Sequence, residues 1–109
     1  MQGEGVVPKV EAFKVEGLNL KFNSLDHMEP HFHVLKPGSK WEIRVYFLSS
    51  DEETLHIKYK KPPNPPANFD GISKSERKDL LEKVLKYRAE LFREWEAKVQ
   101  VMENYNANT

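Results

Sequence analysis

The sequence predicts an α+β domain in which an antiparallel meander of about five strands packs against one long C-terminal helix. From Val10 to Lys60, apolar and polar residues alternate in short runs, which is the period of a half-buried antiparallel strand. After Ser73, apolar residues recur at intervals of three and four, which indicates an amphipathic helix reaching about Glu103. Because one helix covers only one face of a sheet, the opposite face is expected to carry the polar residues.

The predicted strands lie between residues whose types favour turns. Glu16-Gly17 is typical of a tight turn after the first strand, and Pro37-Gly38-Ser39 is a strong turn signal after the third. Pro30 cannot donate a ladder hydrogen bond, so it is expected just before a strand. The five predicted strands span residues 10–15, 18–22, 31–36, 40–48 and 54–60. The fourth has the most regular alternation, with an inward set of Trp41, Ile43, Val45 and Phe47.

The helix and the segment before it carry their own signals. Ser73 and Glu76 have the spacing of a capping box, in which each side chain bonds the backbone amide of the other residue. Glu94 and Lys98 stand four apart and are expected to form an ion pair. Residues 61–68 hold four of the seven prolines, which predicts an extended crossover. We therefore divide the chain into a flexible N-terminal arm (1–9), a single α+β domain (10–103) and a polar C-terminal tail (104–109).

Composition excludes several classes of function. Lysine plus arginine equals aspartate plus glutamate at 17 each, so no overall field attracts nucleic acid or an acidic partner. The absence of cysteine excludes disulfides, thiolate metal sites and a cysteine nucleophile. No segment has the apolar run of a signal peptide or the roughly 20 apolar residues of a membrane span. We expect a cytoplasmic protein with no membrane partner.

The stretch from Asp26 to Val34 is the candidate site, since it holds three of the four histidines in the spacing H-x-x-x-H-x-H. Strand alternation places Phe32 and Val34 inward and His31 and His33 outward. The outward set on the predicted polar face is expected to consist of Asn19, Lys21, His31, His33, Glu42, Arg44, Tyr46, His56 and Lys58. Of these, His31, His33, Glu42, Arg44, His56 and Lys58 are the candidate ligand-binding or catalytic side chains, together with Asp26 and His27 in the preceding loop.

A metal site is one interpretation of this stretch. His31 and His33 are two apart on a strand, so their imidazoles project from one side with Cα atoms roughly 6.5–7 Å apart. Two such nitrogens can converge on one ion, with His27 as a third ligand and Asp26 as another candidate. We expect the protein to hold no cofactor. The alternative, in which these histidines form a metal site, is a divalent metal such as zinc.

Metal-free acid–base catalysis is a second interpretation. Two histidines can share the roles of general base and general acid, because the pKa of histidine lies near working pH. His31 and His33 would take these roles, and Arg44 or Lys58 would stabilise a phosphate. This set predicts a small hydrolase that acts on RNA or another phosphodiester.

Two further interpretations involve no chemistry. Lys58-Tyr59-Lys60-Lys61 places an aromatic ring among basic residues, which suits single-stranded RNA, although lysines also protect an edge strand against aggregation. The histidines can instead be structural, with hydrogen bonds to loop backbone and to Glu42 or Asp26.

The chain also resembles a known family. Phe22-Asn23-Ser24-Leu25-Asp26-His27-Met28-Glu29-Pro30-His31-Phe32-His33-Val34 resembles the motif F-x-x-x-D-H-x-P-P-H-F-H of a small prokaryotic family called domain of unknown function 4160. Trp41-Glu42-Ile43-Arg44 matches its next strand, and Glu90-Leu91 with Trp95-Glu96 matches its final helix. Glu29 replaces the first proline of the motif, and residues 53–71 are longer than the family's hairpin.

The resemblance implies a small standalone prokaryotic protein of the kind suspected to belong to toxin–antitoxin-like gene pairs. It also implies that Asp26, His27, His31 and His33 are the family's motif positions. We expect a binding or accessory module that presents its histidine-bearing face to a protein partner or to a second copy, with RNA as another candidate partner. The alternative is the histidine- or metal-dependent hydrolase.

Overall fold

A computed structural model of the protein describes residues 9–22 and 29–107, with side chains described as far as Val99. Within these ranges the chain forms four strands and one helix. They are β1 (Asn19–Lys21), β2 (Phe32–Leu35), β3 (Glu42–Val45), β4 (Ile57–Lys61) and α1 (Lys74–Ala107). The α+β class is confirmed, and the prediction of about five strands is corrected to four. Residues 1–8 of the predicted arm, the loop with Asp26 and His27, and residues 108–109 lie outside the described ranges.

The four strands form one antiparallel sheet in the order β1-β2-β3-β4. Each strand therefore pairs with its neighbour in the chain, as expected of a meander. One row of the register runs Leu20, Val34, Ile43 and Tyr59, and the next row runs Lys21, His33, Arg44 and Lys58. The pairing of β3 with β4 shifts between Glu42 and Ile43, which is a bulge next to the candidate site.

The first predicted strand, residues 10–15, is absent. Lys9 forms an isolated bridge with Lys21, and the Val10 amide donates to the Leu20 carbonyl at 3.1 Å. The next two amides, of Glu11 and Ala12, donate instead to the carboxylate of Glu94 on α1. The backbone hydrogen bonds that a strand would use are thus taken by a helix side chain. The buried residues here are Val10, Phe13 and Val15, a spacing that does not alternate strictly.

A single apolar core lies between the sheet and α1. The inward residues of β2 and β3 are fully buried, as the alternation predicts, and so are four helix residues. This part of the core consists of Phe32, Val34, Ile43, Val45, Leu80, Val84, Leu91 and Val99. Because the inward strand residues belong to this core, the outward residues of the same strands define the opposite face.

The crossover from β4 to α1 packs through Tyr59. Its ring meets Phe69 edge-on at 5.7 Å, and its hydroxyl accepts the Ile72 amide at 3.0 Å. Gly71 makes this approach possible, since a Cβ atom there would lie 2.0 Å from the Tyr59 hydroxyl. The Lys61-Pro62 peptide bond at the start of the crossover is cis.

The helix begins with the predicted capping box. The Glu76 amide donates to the Ser73 hydroxyl and the Ser73 amide donates to the Glu76 carboxylate, each at 3.0 Å. The helix continues to Ala107, beyond the predicted end near Glu103. Its backbone is non-helical at Tyr87, with φ −110° and ψ 18°, where the Tyr87 ring stacks on Phe13 at 5.8 Å. Among the described residues, no helix has the length and apolar content needed to cross a membrane.

Glu76 gives the fold a testable pH dependence. Its carboxylate accepts hydrogen bonds from the Lys36 ammonium at 2.8 Å and from the Ser73 amide, which lower the pKa of Glu76 below its usual 4.5. A carboxyl with a lowered folded-state pKa stabilises the fold above its unfolded pKa and loses this effect as pH falls through the folded pKa. We therefore expect Glu76→Gln to cost about 0.5–1 kcal/mol near neutral pH and less in acid well below pH 4.5.

Urea unfolding of both proteins at the two pH values measures this difference. Glu82→Gln is the matched control, because Glu82 is an exposed glutamate on the same helix. Its cost is expected to stay under about 0.5 kcal/mol at either pH. A cost of Glu76→Gln that does not change with pH would contradict the prediction.

Candidate functional site

The face of the sheet opposite the helix carries a row of basic side chains. Lys21, Arg44 and Lys58 lie in one register row across the strands, with His33 between the first two. Directly opposed residues on one face have Cβ atoms about 4.5–5.5 Å apart, so Arg44 and Lys58 are close neighbours. We call Lys21, Arg44 and Lys58 the cation row, and the whole surface the polar face.

The cation row lacks carboxylate partners in the described part of the chain. No aspartate or glutamate oxygen of residues 9–22 and 29–99 lies within 4.0 Å of the charged groups of Lys21, Arg44 or Lys58. Lys58 is exposed, and the other two are partly exposed. Like charges placed opposite each other destabilise a sheet. The row therefore has a positive potential that no neighbouring acid among these residues neutralises.

His31 and His33 project to the polar face but are buried there. His33 is fully buried and His31 is 3% exposed, although the alternation alone suggested solvent-facing side chains. The Nδ1 atom of His33 donates to the Glu42 carboxylate at 2.9 Å, and Nδ1 of His31 donates to the Glu29 carbonyl at 2.9 Å. Each contact fixes the orientation of an imidazole ring. The expected hydrogen bond between His33 and Glu42 is thus present. The burial of the two histidines was not predicted.

Glu42 is a buried acid at the edge of the same face, with 3% exposure. Besides His33, its carboxylate lies 3.6 Å from the Lys60 ammonium and 4.0 Å from that of Lys61. Two consecutive β4 lysines reach the same carboxylate beside the bulge at Glu42 and Ile43. A buried carboxylate requires such partners, because its transfer from water is costly unless it is paired.

A series of aromatic rings leads from the buried histidines to the surface. The ring centroids of His33 and His31 are 5.1 Å apart, as are those of His31 and Tyr46. Tyr46 then meets His56 at 4.9 Å, and its amide donates to the His56 carbonyl. His56 is exposed and Tyr46 partly so. We call Tyr46 and His56 the ring pair.

Ser49 links the ring pair to Glu29, which lies just before β2. Its hydroxyl donates to the Glu29 carboxylate at 2.6 Å and lies within hydrogen-bond distance of Nδ1 of His56. Because the Ser49 proton is donated to Glu29, Nδ1 of His56 is the donor in the second contact. The loop after β3 and residue 29 are thereby held together at the surface.

The structure brings most of the predicted site residues together. The catalytic set of His31, His33 and Arg44 is contiguous, because His33 pairs with Arg44 and its ring contacts His31. Of the predicted ligand-binding set, Glu42, His56 and Lys58 lie on the polar face. Asp26 and His27 lie outside the described residues, so the roles predicted for them, including the metal-ligand role of His27, stay predictions.

Within the described ranges, no three histidine, aspartate or glutamate side chains are grouped in a way that could hold a metal ion. Because His27 lies outside these ranges, the predicted metal set of His27, His31 and His33 stays a prediction. The sequence-based prediction omitted Tyr46, Ser49, Lys21 and Lys60 as site residues. The period of two placed Tyr46 and Lys21 on the same face as Arg44 and His33, but it did not mark them as site residues. Ser49 and Lys60 depend on a loop and a bulge, which alternation does not predict.

Comparison of the chain with family models, curated proteins and solved structures gives no match. The resemblance to domain of unknown function 4160 therefore rests on the motif residues and stays a prediction.

Proposed function

We propose that this protein is a binding module that presents its polar face to an anionic partner. The observation that carries the proposal is the cation row, in which Lys21, Arg44 and Lys58 share one register row without a carboxylate partner among the described residues. A row of this kind adds no stability to the isolated sheet, because opposed like charges repel. A negatively charged partner would turn the repulsion into attraction.

Charge is unevenly distributed over a chain with no net charge. Three of the five β4 residues are basic (Lys58, Lys60 and Lys61), and Lys58 is opposite Arg44 on β3. Exposed acids of the N-terminal segment, the loop after β3 and the helix include Glu11, Glu16, Asp51, Glu52, Glu90 and Glu96, and Glu29 before β2 is also exposed. The neutral total therefore does not argue against a local basic surface, which is the quantity that a partner meets.

The buried histidines support this role structurally. His33 and Glu42 are paired inside the polar face, and the basic residues surround them. The histidine motif thus forms the base of the proposed surface, while the exposed cations make the contacts. This division agrees with the binding or accessory module expected from the sequence.

Binding of a short inorganic polyphosphate chain tests the proposal, because this probe has charge but no rings. We expect the Arg44→Gln, Lys58→Gln double variant to bind polyphosphate about tenfold more weakly than the wild type at low salt. Two exposed charge contacts of about 0.7 kcal/mol each give this factor. The dependence of log K on log salt should also become shallower by about one for each lost contact.

Lys74→Gln, Lys78→Gln is the matched control. It removes the same charge from exposed lysines at the start of α1. The control is expected to retain affinity within about twofold. Equal losses in the two double variants would mean that binding follows total charge, and the proposal would then be wrong. Absence of binding by the wild type at low salt would have the same consequence.

A further inference from the structure

We infer that the anionic partner is a single-stranded nucleic acid, with its phosphates on the cation row and its bases on the ring pair. The inference rests on the proposed function and adds the chemical class of the ligand. Its basis is the juxtaposition of two exposed or partly exposed rings with two cations on adjacent strands of one sheet face. These residues are Arg44, Tyr46, His56 and Lys58.

The four side chains form a small rectangular arrangement. Arg44 and Lys58 are opposed across β3 and β4, and Tyr46 and His56 are opposed just beyond them. The two rows are two residues apart along each strand, a distance of roughly 6.5–7 Å. A cation pair and a ring pair thus stand side by side, and the Glu29 carboxylate lies beside the ring pair, on the Ser49 hydroxyl.

This combination suits a polymer that alternates charge with flat apolar groups. Backbone phosphates pair with lysine and arginine, and every base has a π-face that can stack on an aromatic ring. An acidic peptide would use the cations but would have no use for the rings. A duplex keeps its bases stacked inside, so it would reach the cations and leave the ring pair uncovered. The ring pair is therefore the feature that favours a single strand.

The rings are held in position for such contacts. The Tyr46 ring packs against the buried ring of His31, with ring centroids 5.1 Å apart. Ser49 holds His56 through its Nδ1 atom. A ligand would therefore meet rings whose rotamers are already restricted, which reduces the entropy lost on binding.

The experiment compares two probes that differ only in their bases. We expect the wild type to bind an oligothymidylate of about ten nucleotides more tightly than an abasic deoxyribose-phosphate strand of equal length, by about tenfold. Oligouridylate of the same length, measured in parallel, tells whether RNA or DNA is preferred. Equal affinity for the thymidylate and abasic strands would overturn the inference while leaving the proposed function standing. Failure to bind either strand or polyphosphate would overturn both.

Substitution of the exposed ring locates the effect. His56→Leu is expected to lower affinity for oligothymidylate by about fivefold and to leave affinity for the abasic strand unchanged, because only the stacking surface is lost. Thermal unfolding of the variant checks that the fold is retained. A matched control is Tyr87→Leu, which removes a partly buried ring on the helix away from the polar face. Equal losses for both probes in His56→Leu would show that His56 acts by charge or fold, which contradicts the stacking role.

Discussion

Replacing Glu42 by alanine is expected to lower the free energy of unfolding by about 3 kcal/mol. The carboxylate is 3% exposed and accepts the Nδ1–H of His33, which is also buried. Without it, a buried imidazole donor loses its acceptor. We place the cost at the lower end of the range for breaking a buried ion pair, because the contact with His33 is one hydrogen bond at 2.9 Å. The lysines add little, since their side chains are 34% and 67% exposed.

Urea unfolding of three variants separates the contributions. Glu42→Gln keeps an oxygen that can accept from His33, so its expected cost is only about 1 kcal/mol. Glu53→Ala, at an exposed glutamate in the loop after β3, is expected to cost under about 0.5 kcal/mol. If Glu42→Ala proved no more costly than Glu53→Ala, the carboxylate would not be the partner that stabilises the buried histidine.

Replacing Glu94 by alanine is expected to cost about 2 kcal/mol and to release the N-terminal segment from the helix. Its carboxylate accepts the amides of Glu11 at 2.9 Å and Ala12 at 2.6 Å. It also pairs with the Lys98 ammonium at 2.8 Å. Burial alone would lower the pKa of Lys98, but the hydrogen bonds to Glu94 and Glu11 outweigh burial and raise it. The Lys98 side chain is therefore charged at neutral pH.

Two measurements test this prediction. Urea unfolding gives the cost, and hydrogen exchange reports whether the amides of Glu11 and Ala12 lose protection. Glu90→Ala, one turn earlier at an exposed position, is the matched control and should change neither quantity. Unchanged exchange at both amides in Glu94→Ala would show that the segment is held by Val10, Phe13 and Val15 alone.

The outcome for these two glutamates illustrates what sequence patterns can predict. The Glu94–Lys98 pair and the capping box at Ser73 were both predictable, because each depends on residues within one helical turn. The amides of Glu11 and Ala12 lie 82 or more residues from their acceptor. No local pattern indicates such a contact, and it removes the first predicted strand.

The sequence predicted which residues form the candidate site, but it did not predict their burial or their contacts. The period of two correctly grouped His31, His33 and Arg44 on one face, since alternation along a strand is a local geometric rule. Burial of the histidines depends on what lies over that face, which alternation does not report. The bulge at Glu42 and Ile43, which brings two lysines to one carboxylate, depends on the pairing of β3 with β4. The positions of Asp26 and His27 lie outside the described residues.

The meander order of the strands has a consequence for how the molecule folds and opens. Each strand pairs with the strand next to it in the chain, so the sheet forms through contacts that are close in sequence, with a small loss of chain entropy. The contact of Lys98 with the Lys9 carbonyl instead closes a loop of 89 residues. Such a contact is expected to form after the sheet and to be among the first to break. Partial opening at this point would expose Phe13, while the hydrogen-bonded pairing among the four strands of the sheet remains intact.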